Sequence, residues 1–121
     1  MVSQAKKIVF YRIGAIGDII HTLPLLELAR ELNPQARIEY IIGSEQVADL
    51  LKDYAPYIDK VHVVKHGGVF DKPSKIFKTK EEKELINSLA QDSIDEFVYL
   101  HSNKLKANLV NKRFIKAKKI F

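Results

Sequence analysis

The sequence predicts an α/β fold, a Rossmann-like three-layer α/β/α arrangement around a parallel sheet. Three observations predict it. Short β-branched and aromatic runs alternate with stretches of helical periodicity along the whole chain. The first such run ends in a glycine-containing turn that leads into a helix, as in a βαβ unit. The length, 121 residues, suits one compact domain, which can bury roughly two-thirds of its unfolded surface. Hydrophobic residues at 46% and charged residues at 29% exclude a disordered or fibrous chain.

Lys6 to Arg12 reads as the first strand, with Ile8-Val9-Phe10-Tyr11 at its centre, and it stops at the turn Ile13-Gly14-Ala15-Ile16-Gly17. A helix follows, with Leu25, Leu28, Ala29 and Leu32 at helical spacing and Glu27, Arg30 and Glu31 facing away. Asn33-Pro34 ends it, because the residue before a proline is pushed out of the α region. Arg37 to Ile42 is the second strand, closed by Gly43, and Ser44 is placed to cap a helix over Glu45 to Leu51. Lys60 to Lys65 is the third strand. His66-Gly67-Gly68 then opens a polar loop to about Lys78, of a length that is usually functional or mobile. Glu81 to Asp92 reads as a helix with Leu85, Ile86 and Leu89 on one face, Glu96 to His101 as the fourth strand, Leu105 to Arg113 as a further helix, and Lys118 to Phe121 as the start of a fifth strand. This alternation predicts right-handed crossovers. No repeat, low-complexity segment or linker divides the chain, and its apolar, β-prone ending from Ala117 to Phe121 predicts that the natural protein continues.

The absence of cysteine excludes a disulfide framework, thiolate metal sites and a cysteine nucleophile. The apolar run Ile8 to Tyr11 is too short for a signal-peptide core and Arg12 interrupts it, and no stretch approaches membrane-spanning length, so the chain reads as cytoplasmic. The net charge of +5 is unevenly placed: Lys104, Lys106, Lys112, Arg113, Lys116, Lys118 and Lys119 crowd the end without an acidic residue among them. A solvated helix face and a phosphate-rich or anionic-membrane partner are the competing readings. Nucleic acid is not expected, because no base-reading motif accompanies the charge.

In a doubly wound sheet ligands bind beyond the carboxyl ends of the strands, and Ile13 to Asp18 forms the first strand-to-helix turn. Gly14 and Gly17 allow close backbone approach, and the helix start offers unpaired N–H groups. The turn has neither the G-x-G-x-x-G spacing nor a phosphate-loop lysine, so NAD and nucleoside triphosphates are not supported. Asp18 would repel a phosphate there. It reads first as a helix N-cap, and also as a carboxylate able to take a proton from a hydroxyl nucleophile; the two roles are compatible. His21, one helical turn later, faces either the same ligand or solvent. Pro24 frees the carbonyl of Ile20 and bends the axis. His101, at a strand end, is a ligand contact or a loop anchor. His66, Gly67 and Gly68 have no second ligand at metal-binding spacing, so no metal is expected.

Arg12-Ile13-Gly14-Ala15-Ile16-Gly17-Asp18-Ile19-Ile20-His21-Thr22-Leu23-Pro24 resembles the opening of glycosyltransferase family 9, the lipopolysaccharide heptosyltransferases. The likeness extends through Asn33 to Ile38, Tyr57 to Val61 and Leu100-His101-Ser102-Asn103, with Tyr99 and Ser102 standing where the family has Asp and Gly, and Leu105 where it has a basic residue. It implies a GT-B enzyme of two Rossmann-like domains, of which residues 1–121 are the amino-terminal, acceptor-side one, the carboxy-terminal donor-binding domain being absent. The implied reaction transfers heptose from ADP-heptose to the lipopolysaccharide inner core with inversion, Asp18 acting as base, without a cofactor. Gly14, Ala15, Ile16, Gly17, His21, His101, Asn103, Lys104 and Lys106 are the implied acceptor-binding residues, and the implied location is the cytoplasm, peripheral on the inner face of the inner membrane. The chain alone is expected to have little or no transfer activity. The alternative is a standalone, non-catalytic Rossmann-like ligand-binding module.

Overall fold

The structure, a computed structural model, describes residues 6–121; Met1 to Ala5, the start of the segment read above against a leader, lie outside it. Five parallel strands, β1 (Lys7–Tyr11), β2 (Arg37–Ile42), β3 (Lys60–Val63), β4 (Glu96–Tyr99) and β5 (Lys119–Ile120), form one sheet in the order β3-β2-β1-β4-β5. The helices are α1 (Ile16–Leu32), α2 (Glu45–Tyr54), α3 (Lys80–Leu89) and α4 (Lys104–Val110), the last running into a π-helical turn, Asn111–Ile115. The expected α/β fold is observed.

Strand alternation sorts the core into two halves. Ile8 and Phe10 of β1 and Ile38, Tyr40 and Ile42 of β2 pack with Ile19, Leu26 and Ala29 of α1 and Val47, Ala48 and Leu51 of α2. Val9 and Tyr11, from the opposite face of β1, pack with Leu89 of α3 and Ala107 and Val110 of α4. Every residue of β1 is therefore buried, as a central parallel strand covered on both faces requires.

Several boundaries differ from the sequence reading. α1 starts at Ile16 and continues through Pro24 to Leu32. Thr22 Oγ1 donates to the Ile19 carbonyl at 2.6 Å, supplying that acceptor with a side-chain partner. α3 begins behind Thr79, whose side chain accepts from Glu82 N–H while the Glu82 carboxylate accepts from Thr79 N–H, and it ends at Leu89. The expected Leu105–Arg113 helix ends instead in the π-helical turn, closed by Lys116 at φ 55° and by its N–H bonding Asn111 O at 2.6 Å. The loop after β3 is tied down rather than free. Val69 and Phe70 are fully buried, Tyr11 Oη donates to Phe70 O at 2.6 Å, and Val69 N–H donates to Glu82 Oε2 at 2.6 Å.

One charged cluster is built into the core. Glu39 is buried, with His62 Nε2 at 2.5 Å from one carboxylate oxygen and Arg37 Nε at 2.8 Å and Lys7 Nζ at 3.5 Å from the other. Burial raises the carboxyl's pKa, but the hydrogen bonds from His62 and Arg37 and the charges of His62 and Lys7 outweigh it and hold Glu39 down at about 2.

Candidate functional site

β1 lies between β2 and β4, and the chain leaves it toward β2 through α1 while β4 is reached only after β3. The sheet therefore has its switch point at the carboxyl ends of β1 and β4, where two connections diverge and leave a crevice. Residues 12–15 form one wall and residues 100–103 the other. Leu100 N–H bonds Tyr11 O at 2.9 Å and holds the two walls in register.

Asp18 is in the first turn of α1, with its side chain 48% exposed. It is not the N-cap. Ala15 occupies that position, and alanine has no side-chain acceptor for the helix N–H groups; Asp18, three residues on, reaches back so that Oδ2 accepts from Ala15 N–H at 3.2 Å. Its other oxygen lies 3.4 Å from Arg12 Nη2. The carboxylate is thus held by one backbone donor and one guanidinium, and half of it faces solvent at the mouth of the crevice. A Cβ added to Gly14 would lie 3.0 Å from Asp18 Oδ2, whereas one added to Gly17 would meet nothing within 4 Å. Gly14 backs the carboxylate, while Gly17 faces open space. Ala15, Ile16 and His21 are exposed along the same edge.

His101 is half-buried and belongs to the frame of the crevice. Its Nε2 accepts from Ile13 N–H at 3.0 Å, and Nδ1 lies 3.2 Å from Arg12 Nη1, which also donates to Leu100 O at 2.6 Å. The ring lies 5.4 Å from that of Tyr99 and 5.8 Å from that of Tyr11. Burial, then the positive charges of Arg12 and Lys106, lower its pKa below the usual histidine value. With Nε2 accepting from Ile13 N–H, the proton of the neutral ring sits on Nδ1, and the ring joins the walls as an anchor.

Asn103 caps α4, its Oδ1 accepting from Lys106 N–H at 3.0 Å. Lys106 Nζ reaches Asp71 Oδ1 at 2.9 Å, and Asp71 Oδ2 accepts from Gly67 N–H at 2.6 Å. Burial raises the Asp71 pKa, but the bonds from Lys106 and Gly67 outweigh it and lower it overall. Asn103 and Lys106 are therefore engaged in the fold, and of the predicted basic pair Lys104 is the exposed one.

The structure brings together Gly14, Ala15, Gly17, Asp18 and His101. It adds two residues to which the sequence reading gave no role: Arg12, which touches Asp18, His101 and Leu100, and Asp71, which fixes Lys106. A cation directly after a buried strand was a usable signal for Arg12; nothing local marked Asp71. Among the described residues no group of three or more His, Asp or Glu side chains is placed to hold a metal ion.

Comparison with solved structures finds the same architecture. A glycosyl transferase family 9 protein from Veillonella parvula superposes with a TM-score of 0.71 at 28% identity, over 99% of this chain and 32% of that one. The E. coli heptosyltransferase WaaC with ADP superposes with a TM-score of 0.66 at 18% identity, over 93% of this chain and 34% of that one. WaaC with ADP-2-deoxy-2-fluoro heptose gives a TM-score of 0.61 at 19% identity, over 88% and 33%. The likeness to WaaC is one of fold. No family model and no curated protein matches the chain. The chain spans about a third of the length of these solved relatives, and over that length it resembles glycosyltransferase family 9 in its fold.

Proposed function

We propose that this chain is the amino-terminal, acceptor-side domain of an inverting heptosyltransferase, and that Asp18 is its catalytic base. One observation carries the reading: a half-exposed carboxylate stands at the switch-point turn, fixed by Ala15 N–H and Arg12. Asp18 takes the proton of an acceptor hydroxyl as that oxygen bonds to the anomeric carbon of the donor sugar. The bond to the nucleotide oxygen breaks with its electron pair, releasing a nucleoside diphosphate. Attack from the face opposite the leaving group inverts the anomeric centre. WaaC chains of similar fold hold ADP and an ADP-heptose analogue, which favours ADP-heptose as donor, held mainly by a second domain. The lipopolysaccharide inner core is the proposed acceptor, reached from the cytoplasmic side of the inner membrane, with Ile16, Gly17, His21 and Lys104 lining its approach.

The test is Asp18→Asn in the longer protein that carries the donor domain. Asparagine keeps an acceptor for Ala15 N–H but cannot take a proton, so transfer should fall roughly 10²- to 10⁴-fold with an unchanged circular dichroism spectrum. Undiminished turnover overturns the assignment. The 121-residue chain alone should show no transfer; measurable activity would place the donor site within it.

A further inference from the structure

Residues 72–80 hold four lysines, Lys72, Lys75, Lys78 and Lys80, and no acidic residue. Between them stand Ile76 and Phe77, 78% and 90% exposed, the two most exposed large apolar side chains among the described residues. The segment is anchored on both sides of this pair. Before it, Pro73 is buried and Arg113 donates to the carbonyls of Pro73 and, at 2.8 Å, of Lys75. After it, Thr79 caps α3, accepting from Glu82 N–H at 3.1 Å. The interior beneath is filled by Val69, Phe70 and Phe114. The tip is thus presented outward from a fixed base.

An apolar pair ringed by cations selects its occupant. A second copy of this chain on the same tip would bring four lysines against four lysines. The interface of an anionic bilayer meets both needs at once: the apolar side chains enter the acyl boundary, and lysine stems lie along it with their ammonium groups on lipid phosphates. Among the described residues no helix is long and apolar enough to cross a membrane, so contact through this tip would be peripheral. Of the carboxy-terminal lysines, two are engaged: Lys106 bonds Asp71 and Lys118 lies 3.4 Å from Asp95.

We propose that residues 72–80 form a membrane-docking loop that inserts Ile76 and Phe77 into the surface of an anionic lipid bilayer while its four lysines contact the head-group phosphates. The inference rests on exposure and charge and is independent of sugar transfer. Because the chain contains no tryptophan, Phe77→Trp gives a single fluorescent reporter at the tip, and Tyr54→Trp one on α2, across the sheet. Vesicles of phosphatidylcholine alone are compared with vesicles of about two parts phosphatidylcholine to one part phosphatidylglycerol. The chain should co-sediment with the anionic vesicles, the tip reporter should shift to the blue and be quenched by brominated acyl chains, and the reporter on α2 should do neither. Ile76→Ser with Phe77→Ser should weaken binding about tenfold or more, and Lys75→Gln with Lys78→Gln should weaken it by a similar factor that high salt removes. Circular dichroism verifies the fold of each variant. Failure of the chain to bind anionic vesicles, binding without a tip-specific shift, or self-association abolished by the serine pair in place of vesicle binding would each overturn the proposal.

Discussion

Two glycines of one turn predict opposite outcomes. A methyl group at Gly14 would lie 3.0 Å from Asp18 Oδ2 and 3.3 Å from Asp18 Cβ, so Gly14→Ala must displace the carboxylate. In the proposed two-domain enzyme it should lower kcat at least tenfold, as a small misplacement of a reacting group does. A methyl group at Gly17 meets nothing within 4 Å, and this position is helical. Gly17→Ala should therefore raise stability by up to about 1 kcal/mol, read as a higher urea midpoint, and it should raise KM where an acceptor occupies that space. A kcat loss confined to Gly17→Ala would reverse the assignment of the two sides. That Asp18 stands at the ligand-facing turn was legible from the glycines and the helix behind them. That it is the third helical residue and not the cap was not, because the choice depends on where Ala15 leaves the extended region. His101 was legible as a strand-end residue. Its bond to Ile13 N–H spans 88 residues and exists only because β4 pairs with β1.

Among the elements, the connection from β3 to α3 departs most from its sequence pattern. His66-Gly67-Gly68 and the lysines read as a polar loop, yet Val69 and Phe70 are core residues and Glu82 secures them from the next helix. Local periodicity could not register this, because two buried residues in a turn have no period. Glu82 accepts from both Thr79 N–H and Val69 N–H, and these bonds outweigh the burial that would raise its pKa, so the carboxyl is lowered overall. Glu82→Ala removes one half of the α3 cap and leaves the Val69 N–H without its partner. It should cost about 2 kcal/mol in urea unfolding, and hydrogen exchange should accelerate at Val69 and Phe70 ahead of β1. Equal protection in variant and wild type would show that the loop is held by its apolar contacts alone. β1, β2 and α2 were legible because both patterning and caps agreed, as with Ser44, which accepts from Val47 N–H at 3.3 Å. The π-helical turn was not, since its closure depends on Lys116 in the left-handed region.

Across the whole molecule, two apolar half-cores share a sheet that contains one ionic cluster, and the cluster makes stability depend on pH. Glu39 is held at about 2, against an ordinary 4.5, by His62, Arg37 and Lys7. A carboxyl whose pKa is lower folded than unfolded binds fewer protons in the native state. Its contribution is complete above the unfolded value and is lost as pH falls from about 4.5 toward 2. The loss should approach 3 kcal/mol as an order of magnitude (~1.4 kcal/mol per pH unit). Asp71, Glu82 and Asp95 are lowered too, so they steepen the same acid limb. Glu39→Gln isolates the central term. At neutral pH it leaves the buried Lys7 and the half-exposed Arg37 facing an uncharged amide and should cost about 3 kcal/mol. Below pH 4.5 the wild type progressively loses the same charge, so the two stability curves should converge toward pH 2. Urea unfolding at a series of pH values measures this directly. Curves that stay parallel from neutral pH to pH 2 would mean that Glu39 titrates alike in the folded and unfolded chain, and that the cluster aligns β1, β2 and β3 without contributing to the acid limb.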